Sequence, residues 1–391
     1  MAGKNTADKK NRKADIPALI CLAIAAVMFL IASRALSPSK GGDKGAEDYI
    51  EYELARVKAI LSDTCETDPS SDGAYRGEQL IIAEVLTGQY RGLSLQAYNF
   101  VSPLYGVPVK EGDRVCLGIN TYSDGSVRST VYEFARWRPL LICLALFVLS
   151  CVLVGGRTGA RSLIGLAATF LCLFYILLPG LLRGADTVLL TFAVCSFISA
   201  VCMLILSGFS FKSLAAFLGT VSGMSFAMIF AALAQHLTRI SGLRAADVEP
   251  LLQLRQTGTP IGLKGLLTAG IMIASLGAVM DVAMSIASAL DEIHSVDPSR
   301  SSRELFRSGM NIGRDMVGTM TNTLILAYFG SSFVLVIYLY TLGLSFAQLS
   351  SSAYLAAEMI SSLSGSIGVI LSVPLTAAIS SFLYGSKKDR R

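Results

Sequence analysis

The chain has 391 residues, of which 53% are hydrophobic and only 16% carry a charge. This composition is typical of a protein with several membrane-spanning helices. The net charge of +5 follows from Lys and Arg residues placed beside the apolar stretches, so it indicates no nucleic-acid partner.

The N-terminal segment has two parts. Residues 1–16 are basic, and residues 17–33 form an apolar stretch. Ser33-Arg34-Ala35 weakly fits the small-x-small pattern of a signal-peptidase site, but the apolar run is long for a signal peptide. We therefore expect residues 17–33 to stay in the protein as a membrane anchor.

Residues 34–138 form the one large aqueous segment, which opens with the linker-like stretch SPSKGGDKG. Runs with strand character follow, separated by turn sequences, and they cover residues 49–61, 79–90, 93–100, 113–122 and 126–134. They predict a small barrel or sandwich, with the oligonucleotide/oligosaccharide-binding type as one candidate. Such a domain either binds a ligand or only packs on the membrane part, and a fold alone does not decide between these roles.

Two of the eight cysteines, Cys65 and Cys116, fall in this segment. A disulfide between them is compatible with an oxidising compartment. The sequence does not give their separation in space, so the paired and the free state both stay open.

Seven further apolar stretches are each long enough to cross about 30 Å of hydrocarbon. They cover residues 139–155, 162–182, 187–207, 213–235, 263–288, 320–344 and 360–384. With the anchor, they predict an α-helical polytopic membrane protein of about eight transmembrane helices with a small extracytoplasmic β-rich domain. Lys and Arg are concentrated in alternate loops and in both termini, including residues 386–391, so both termini are predicted to be cytoplasmic.

The segment GAVMDVAMSIAS (277–288) places a carboxylate, Asp281, in an apolar span. On a helix at 100° per residue, small residues share the face of Asp281, among them Gly270, Gly277, Ala278 and Ser285. Such a face lets another helix approach closely, or it leaves room for water or an ion. Because intramembrane carboxylates usually mark an ion, proton or substrate route, Asp281 and Ser285 are candidate transport residues.

A structural role for Asp281 is the alternative. If Lys264 marks the outer interface, about 20 residues of spanning helix place Asp281 close to the inner headgroups. At that depth it can pair with Arg314 or cap the inner helix.

A second polar constellation lies in GMNIGRDMVGTMTNTLILAYFG (309–330). Its candidate ion contacts are Asn311, Arg314, Asp315, Thr319 and Asn322, interspersed with Gly309, Gly313 and Gly318. Glycines beside amides and hydroxyls are typical of the broken helices of carriers, whose freed backbone groups bind ions. The alternative is a regular membrane-entry helix that uses its glycines for close packing.

Residues for catalysis are not evident. The two histidines, His236 and His294, are predicted on opposite sides of the membrane, and Asp281 has no second carboxylate at matched depth. The sequence contains no Walker loop, dinucleotide fingerprint or Cys/His metal spacing. We therefore predict no enzyme, no cofactor and no metal site.

Three stretches carry a resemblance to a known family: GFSFKSLAAFLGT (208–220), GLLTAGIMIASLGAVMDVAMSIASALDEI (265–293) and SGMNIGRDMVGTMTNTLILAYFG (308–330). Through them, most of residues 139–385 resembles the YibE/F-like family of bacterial multi-span membrane proteins. The resemblance implies a protein of the bacterial cytoplasmic membrane, and it implies no particular substrate.

From the residues, the leading hypothesis is a permease for an ion or small solute, with Asp281 as the coupling carboxylate. The alternative is a non-transporting scaffold or sensor whose outer domain binds an envelope ligand or a partner protein. The lipid bilayer is a partner under both hypotheses.

Overall fold

The structure is a computed structural model that describes residues 49–122, 126–240, 249–256, 258 and 260–385. The chain divides into two compact units: a barrel unit, Lys40–Leu153, and a helical unit, which resumes at Val154. The predicted anchor at 17–33 and both basic termini lie outside the described residues.

Six strands form the sheet of the barrel unit: β1 (Tyr49–Asp63), β2 (Glu66–Asp68), β3 (Ala74–Val85), β4 (Ser94–Val101), β5 (Arg114–Thr121) and β6 (Val127–Phe134). Their order is β1-β5-β6-β4-β3-β2, and a further pairing between β1 and β3 closes the sheet into a barrel. β4 and β6 run parallel, while the other pairs are antiparallel. Without the short β2, this strand order is that of the oligonucleotide/oligosaccharide-binding barrel, so the predicted small barrel is confirmed.

Alternation of side chains along the strands produces the barrel core. On β3, every second residue from Gln79 to Val85 points inward and is buried, while the residues between them face outward. β1 pairs with β5 along its first half and with β3 along its second half. Register shifts near Val57 and Ile60 bend the strand so that it can change partners. The long, bent β1 therefore closes the sheet around one barrel core.

Two buried amides tie a long loop to this core. Asn99 Nδ2 donates to Gln79 Oε1 at 2.9 Å, and Gln79 Nε2 donates to Asp63 Oδ2 at 2.8 Å. The backbone of the loop closes the network, since Val109 N–H donates to Gln79 Oε1 and Val107 C=O accepts from Asn99. Burial of these amides is therefore compensated by hydrogen bonds.

The disulfide considered for Cys65 and Cys116 is not formed, because both are free thiols. Cys116 on β5 is paired with Leu54, whereas Cys65 follows the far end of β1 at Asp63. The ten residues of strand from Leu54 to Asp63 keep the sulfurs too far apart for a bond. Burial, with the neighbouring Asp63 carboxylate, raises the pKa of Cys65 to about 11.

The helices are α1 (Trp137–Cys172), a π-helical turn (Leu173–Leu177), α2 (Leu178–Leu182), α3 (Thr187–Ser207), α4 (Phe211–Thr238), α5 (Glu249–Gln256), α6 (Leu266–Val296), α7 (Ser302–Ser331), α8 (Phe333–Thr341), α9 (Phe346–Ser350) and α10 (Ala353–Gly385). Within the described residues, five helices are long and apolar enough to cross a membrane, or six if the bent pair α7–α8 is one span.

The difference from the eight predicted spans has two sources. The anchor lies outside the described residues, and the predicted spans 139–155 and 162–182 form one helical stretch of 46 residues, Trp137–Leu182. Gly156 interrupts that stretch with φ 54° and ψ −133°, between the two predicted spans. Glycine tolerates this backbone conformation, which other residues rarely adopt.

Helix α6 lies at the centre of the helical unit, in contact with α3, α4, α7 and α10. Helices α4 and α10 also pack closely on each other, and glycines of the two helices face each other there. A Cβ on Gly223 would lie 2.9 Å from Gly368 C=O, and a Cβ on Gly368 would lie 2.9 Å from Ala227 Cβ. With Gly219 one turn away, α4 uses small-residue packing of the kind found between membrane helices.

The predicted capping box at the start of the inner helix is confirmed, because Ser301 and Glu304 exchange both hydrogen bonds at the N-terminus of α7. The broken helix considered for residues 309–330 is wrong. α7 is continuous from Ser302 to Ser331, and the chain bends by 61° only at Ser332, before α8.

Candidate functional site

Helix α6 carries Asp281 on its exposed face. The opposite face is buried through Val279, Val282 and Ile286, which pack against α7 and α10. Because 3.6 residues make a turn, this burial turns Asp281 and Ser285 outward together, and both are exposed. The sequence pattern that predicted a separate face for Asp281 is therefore confirmed.

A groove of about 300 Å³ runs beside Asp281, between α6, α3 and the second half of α1. Most of its lining is apolar. Its residues are Ser162, Gly165, Leu166, Thr169, Leu173, Cys195, Ile198, Cys202, Leu206, Ile273, Leu276, Gly277, Met280 and Asp281. Asp281 is the one charged side chain among them.

The wall opposite Asp281 is built around Gly165 and Thr169 of α1. Thr169 Oγ1 donates to Gly165 C=O at 3.0 Å, and Cys202 Sγ of α3 lies 3.7 Å from the same hydroxyl. A Cβ on Gly165 would lie 3.5 Å from Cys202 Sγ, which is ordinary van der Waals contact, so Gly165 and this thiol are close neighbours in the wall. The helix then widens into the π-helical turn at Leu173, and such turns are frequent at functional sites.

Asp281 has no hydrogen bond or ion pair with any other residue that the structure describes. The pairing with Arg314 considered from the sequence is therefore not formed. Transfer of an unpaired carboxylate to an apolar groove is costly unless a cation, a proton or water accompanies it. The arrangement can thus hold a small cation or exchange a proton.

The small residues on the face of Asp281 differ in their surroundings. A Cβ on Gly270 or Gly277 would meet no atom of the described residues within 4 Å, so their assignment to helix packing stays a prediction. Gly277 instead lines the groove, one turn before Asp281. Ala278 is partly buried against the core shared with α7 and α10, in agreement with a packing role.

The polar residues of α7 lie elsewhere. Asn311, Arg314, Asp315, Thr319 and Asn322 are all exposed, and none lines the groove. Asn311 borders a separate polar depression with Arg307 and Glu304, while Thr319 Oγ1 donates to Met316 C=O at 3.1 Å within its own helix. The structure therefore does not bring these candidates to Asp281.

Of the three glycines on α7 that the sequence suggested for packing, two have close neighbours on other helices. A Cβ on Gly309 would lie 2.9 Å from Ala377 Cβ, and one on Gly313 would lie 3.2 Å from Ile286 Cδ1 and would clash with Val373. Gly318 faces open space. Among the described residues, close neighbours thus surround Gly309 and Gly313 and not Gly318.

No group of three or more His, Cys, Asp or Glu side chains within the described ranges is arranged to hold a metal ion. Sequence reasoning missed the groove wall formed by Ser162, Gly165 and Thr169. Their spacing of three and four residues places them on one face of α1, and that pattern was available in the sequence.

The fold and the site together define a helical membrane protein with a small β-barrel domain and an unpaired carboxylate in a groove between helices. The chain belongs to the YibE/F-like family of bacterial membrane proteins, which it matches over residues 143–386. That match covers the whole groove, including Asp281. No curated protein and no solved structure matches the chain.

Proposed function

We propose that the protein is a permease of the bacterial cytoplasmic membrane that moves an ion or small solute along the groove beside Asp281. The proposal assigns it eight spans, cytoplasmic termini and an extracytoplasmic barrel, in line with the distribution of Lys and Arg. It assigns no enzymatic activity.

One observation carries the proposal: Asp281 is unpaired at a groove whose other lining residues are uncharged. Intramembrane carboxylates in such positions generally serve ion, proton or substrate movement. The hydroxyl of Thr169 and the thiol of Cys202 add weak polar contacts along the wall. These groups suit a cation or a proton better than an anion.

Ser285 extends the exposed face of Asp281 by one turn, so it belongs to the proposed route. The polar set on α7 serves at most as an approach surface, because none of its members lines the groove. Neutralising Asp315 should therefore leave movement through the groove largely intact. This difference supplies a matched control for Asp281.

The test uses purified protein reconstituted in vesicles. Downhill movement of protons, alkali-metal ions and divalent cations is followed with an indicator dye enclosed in the vesicles. Asp281→Asn removes the charge at nearly constant size and should abolish the flux that the native protein supports, whereas Asp315→Asn should retain it. Native flux in the Asp281→Asn protein would contradict the proposal.

The outer face of the barrel favours a second candidate function, a scaffold or sensor that binds an envelope ligand or partner protein. Tyr52 and Tyr132 meet edge to face at 4.9 Å, and Tyr98 stacks on Phe100 at 6.1 Å. All four rings are exposed, and exposed aromatic groups are common in binding surfaces.

The two candidates differ in what the aromatic face does. Under the permease proposal, Tyr132→Ala leaves vesicle flux unchanged. Under the sensor alternative, the native protein supports no flux with any ion tested, and Tyr132→Ala abolishes the cellular response that depends on the protein.

A further inference from the structure

The barrel joins its membrane helix without a flexible connection. Only Ala135 and Arg136 separate β6 from α1. Ala135 N–H donates to Arg114 C=O of β5 at 2.9 Å, and Arg136 C=O accepts from Leu140 N–H of the first helical turn at 3.1 Å. Arg136 also forms an ion pair with Glu133 of β6. The start of α1 is thus fixed at one end of the barrel.

The residues at this junction are those expected at a lipid headgroup layer. Trp137 opens the helix, and the guanidinium of Arg138 lies 5.3 Å from its ring centre. The exposed apolar run Leu140–Leu153 follows directly. Trp beside Arg at the edge of an apolar span is typical of the membrane–water interface. The interface therefore passes close to this end of the barrel.

The parallel pairing of β4 with β6 places a second group of residues at the same end. Tyr98 of β4 pairs with Thr130 of β6, so both strands run toward the junction and end there. The residues that follow β4 are Ser102, Pro103, Leu104 and Tyr105. They follow β4 at the same end of the barrel as the residues that lead from β6 into Trp137.

This turn holds apolar side chains outward in a fixed conformation. Ser102 N–H donates to Tyr105 C=O at 2.7 Å, and Tyr105 N–H donates to Ser102 Oγ at 3.0 Å. The returning chain is held by the buried amides of Gln79 and Asn99. Leu104 is nevertheless 83% exposed and Tyr105 75% exposed. A rigid turn that presents Leu and Tyr to water is costly unless something covers them.

We propose that this end of the barrel rests in the phospholipid headgroup layer, where Leu104 and Tyr105 form a second anchor beside Trp137. Lipid fits better than a protein partner because the apolar tip is continuous with a helix start that already carries interfacial residues. The proposal requires only that α1 lies in the bilayer. It is independent of any transport along the Asp281 groove.

The single tryptophan of the chain makes the test direct. The full-length protein is reconstituted in vesicles that contain phosphatidylcholine brominated near the headgroup end of its acyl chains, which quenches nearby tryptophan. In the native protein, the quenching of Trp137 gives the reference value for a residue at the membrane–water interface. In a Trp137→Phe background, Leu104→Trp reports on the tip, and Leu93→Trp reports on the opposite end of the barrel, where β4 begins.

Leu104→Trp should lose at least about half the fraction of emission that Trp137 loses, and Leu93→Trp should lose almost none. Equal, weak quenching at both positions would overturn the proposal. So would a blue-shifted Leu104→Trp emission without quenching, because protein rather than lipid then covers the tip. Tyr105→Trp repeats the measurement at the adjacent residue, and an unchanged thermal midpoint confirms that each variant is folded.

Discussion

Gly309 of α7 faces Ala377 of α10, and a Cβ on Gly309 would lie 2.9 Å from Ala377 Cβ and 3.0 Å from Leu290 Cδ1. The nearest of these atoms belongs to a short, fixed side chain that cannot rotate away. The contact between α7 and α10 therefore depends on the absence of a side chain at residue 309.

Gly309→Val should lower the free energy of unfolding of the helical unit by about 1–3 kcal/mol, because the added methyl groups overpack the contact with Ala377. Gly318→Val provides the control, since residue 318 faces open space on the same helix and carries the same change in helix propensity. Thermal unfolding in detergent measures both variants. Equal destabilisation of the two variants would show that the change in helix propensity, and not the contact with Ala377, determines the loss of stability.

Filling the groove should stop movement along it without unfolding the protein. Gly277→Leu adds a side chain where a Cβ meets no atom within 4 Å, and residue 277 lines the groove. Gly270→Leu, two turns earlier on the same face, also meets open space but lies outside the groove lining. In the vesicle assay, we expect loss of flux only in Gly277→Leu. Loss of flux in both variants would show that the effect does not come from filling the groove.

The buried amide network should make a large contribution to barrel stability. Asn99→Ala leaves Val107 C=O without its side-chain donor and removes one of the two hydrogen bonds that Gln79 Oε1 accepts, at a cost of about 1–3 kcal/mol. Faster hydrogen exchange at the Val109 amide should accompany the loss, because that amide shares Gln79 Oε1. Gln96→Ala, at an exposed position on the same strand, should change stability by less than about 0.5 kcal/mol.

Acid should weaken the barrel through Asp63. Its pKa is held below 3.8, first by the backbone N–H of Cys65 and then by the Gln79 amide. Since the folded pKa is below the unfolded value, this stabilisation is complete above about pH 5 and is lost as the pH falls through 3.8 toward the folded pKa. Melting curves of Asp63→Asn should show a shallower dependence on pH in this window.

The control for Asp63 is Asp72→Asn, which changes a carboxylate of the same hairpin that accepts no hydrogen bond from another described residue. Its pH profile should keep the native slope. An unchanged slope in Asp63→Asn would mean that other carboxylates control the acid transition.

Local signals in the sequence were reliable predictors of the fold. Alternation and turn residues predicted five strands to within a few residues, and Ser301 with Glu304 marked the start of α7. Strand alternation, turns and the capping box all depend on residues that are close together in the sequence. The short β2 was missed because it exists only through its pairing with β3.

The candidate site was predictable only in part. Helical periodicity shows which residues share one face of a helix, but it does not show which other helix packs against that face. Gly277 and Gly309 lie in similar small-residue patterns, yet one lines a groove and the other packs against α10. Likewise, Asp281 was identifiable as an intramembrane carboxylate. The spacing of Ser162, Gly165 and Thr169 indicates a shared helix face, but the position of that face beside Asp281 joins residues more than a hundred positions apart, which no local pattern reveals.

The tight junction between β6 and α1 also decides how the protein can be dissected. A protease needs several residues of extended, accessible chain, and such sites concentrate in loose loops and termini. Ala135 is bonded into the sheet, and Arg136 already belongs to the first helical turn. Limited digestion will therefore not free the barrel at this boundary, and a barrel fragment has to be expressed from a gene that begins after the predicted anchor at 17–33 and ends at Arg136.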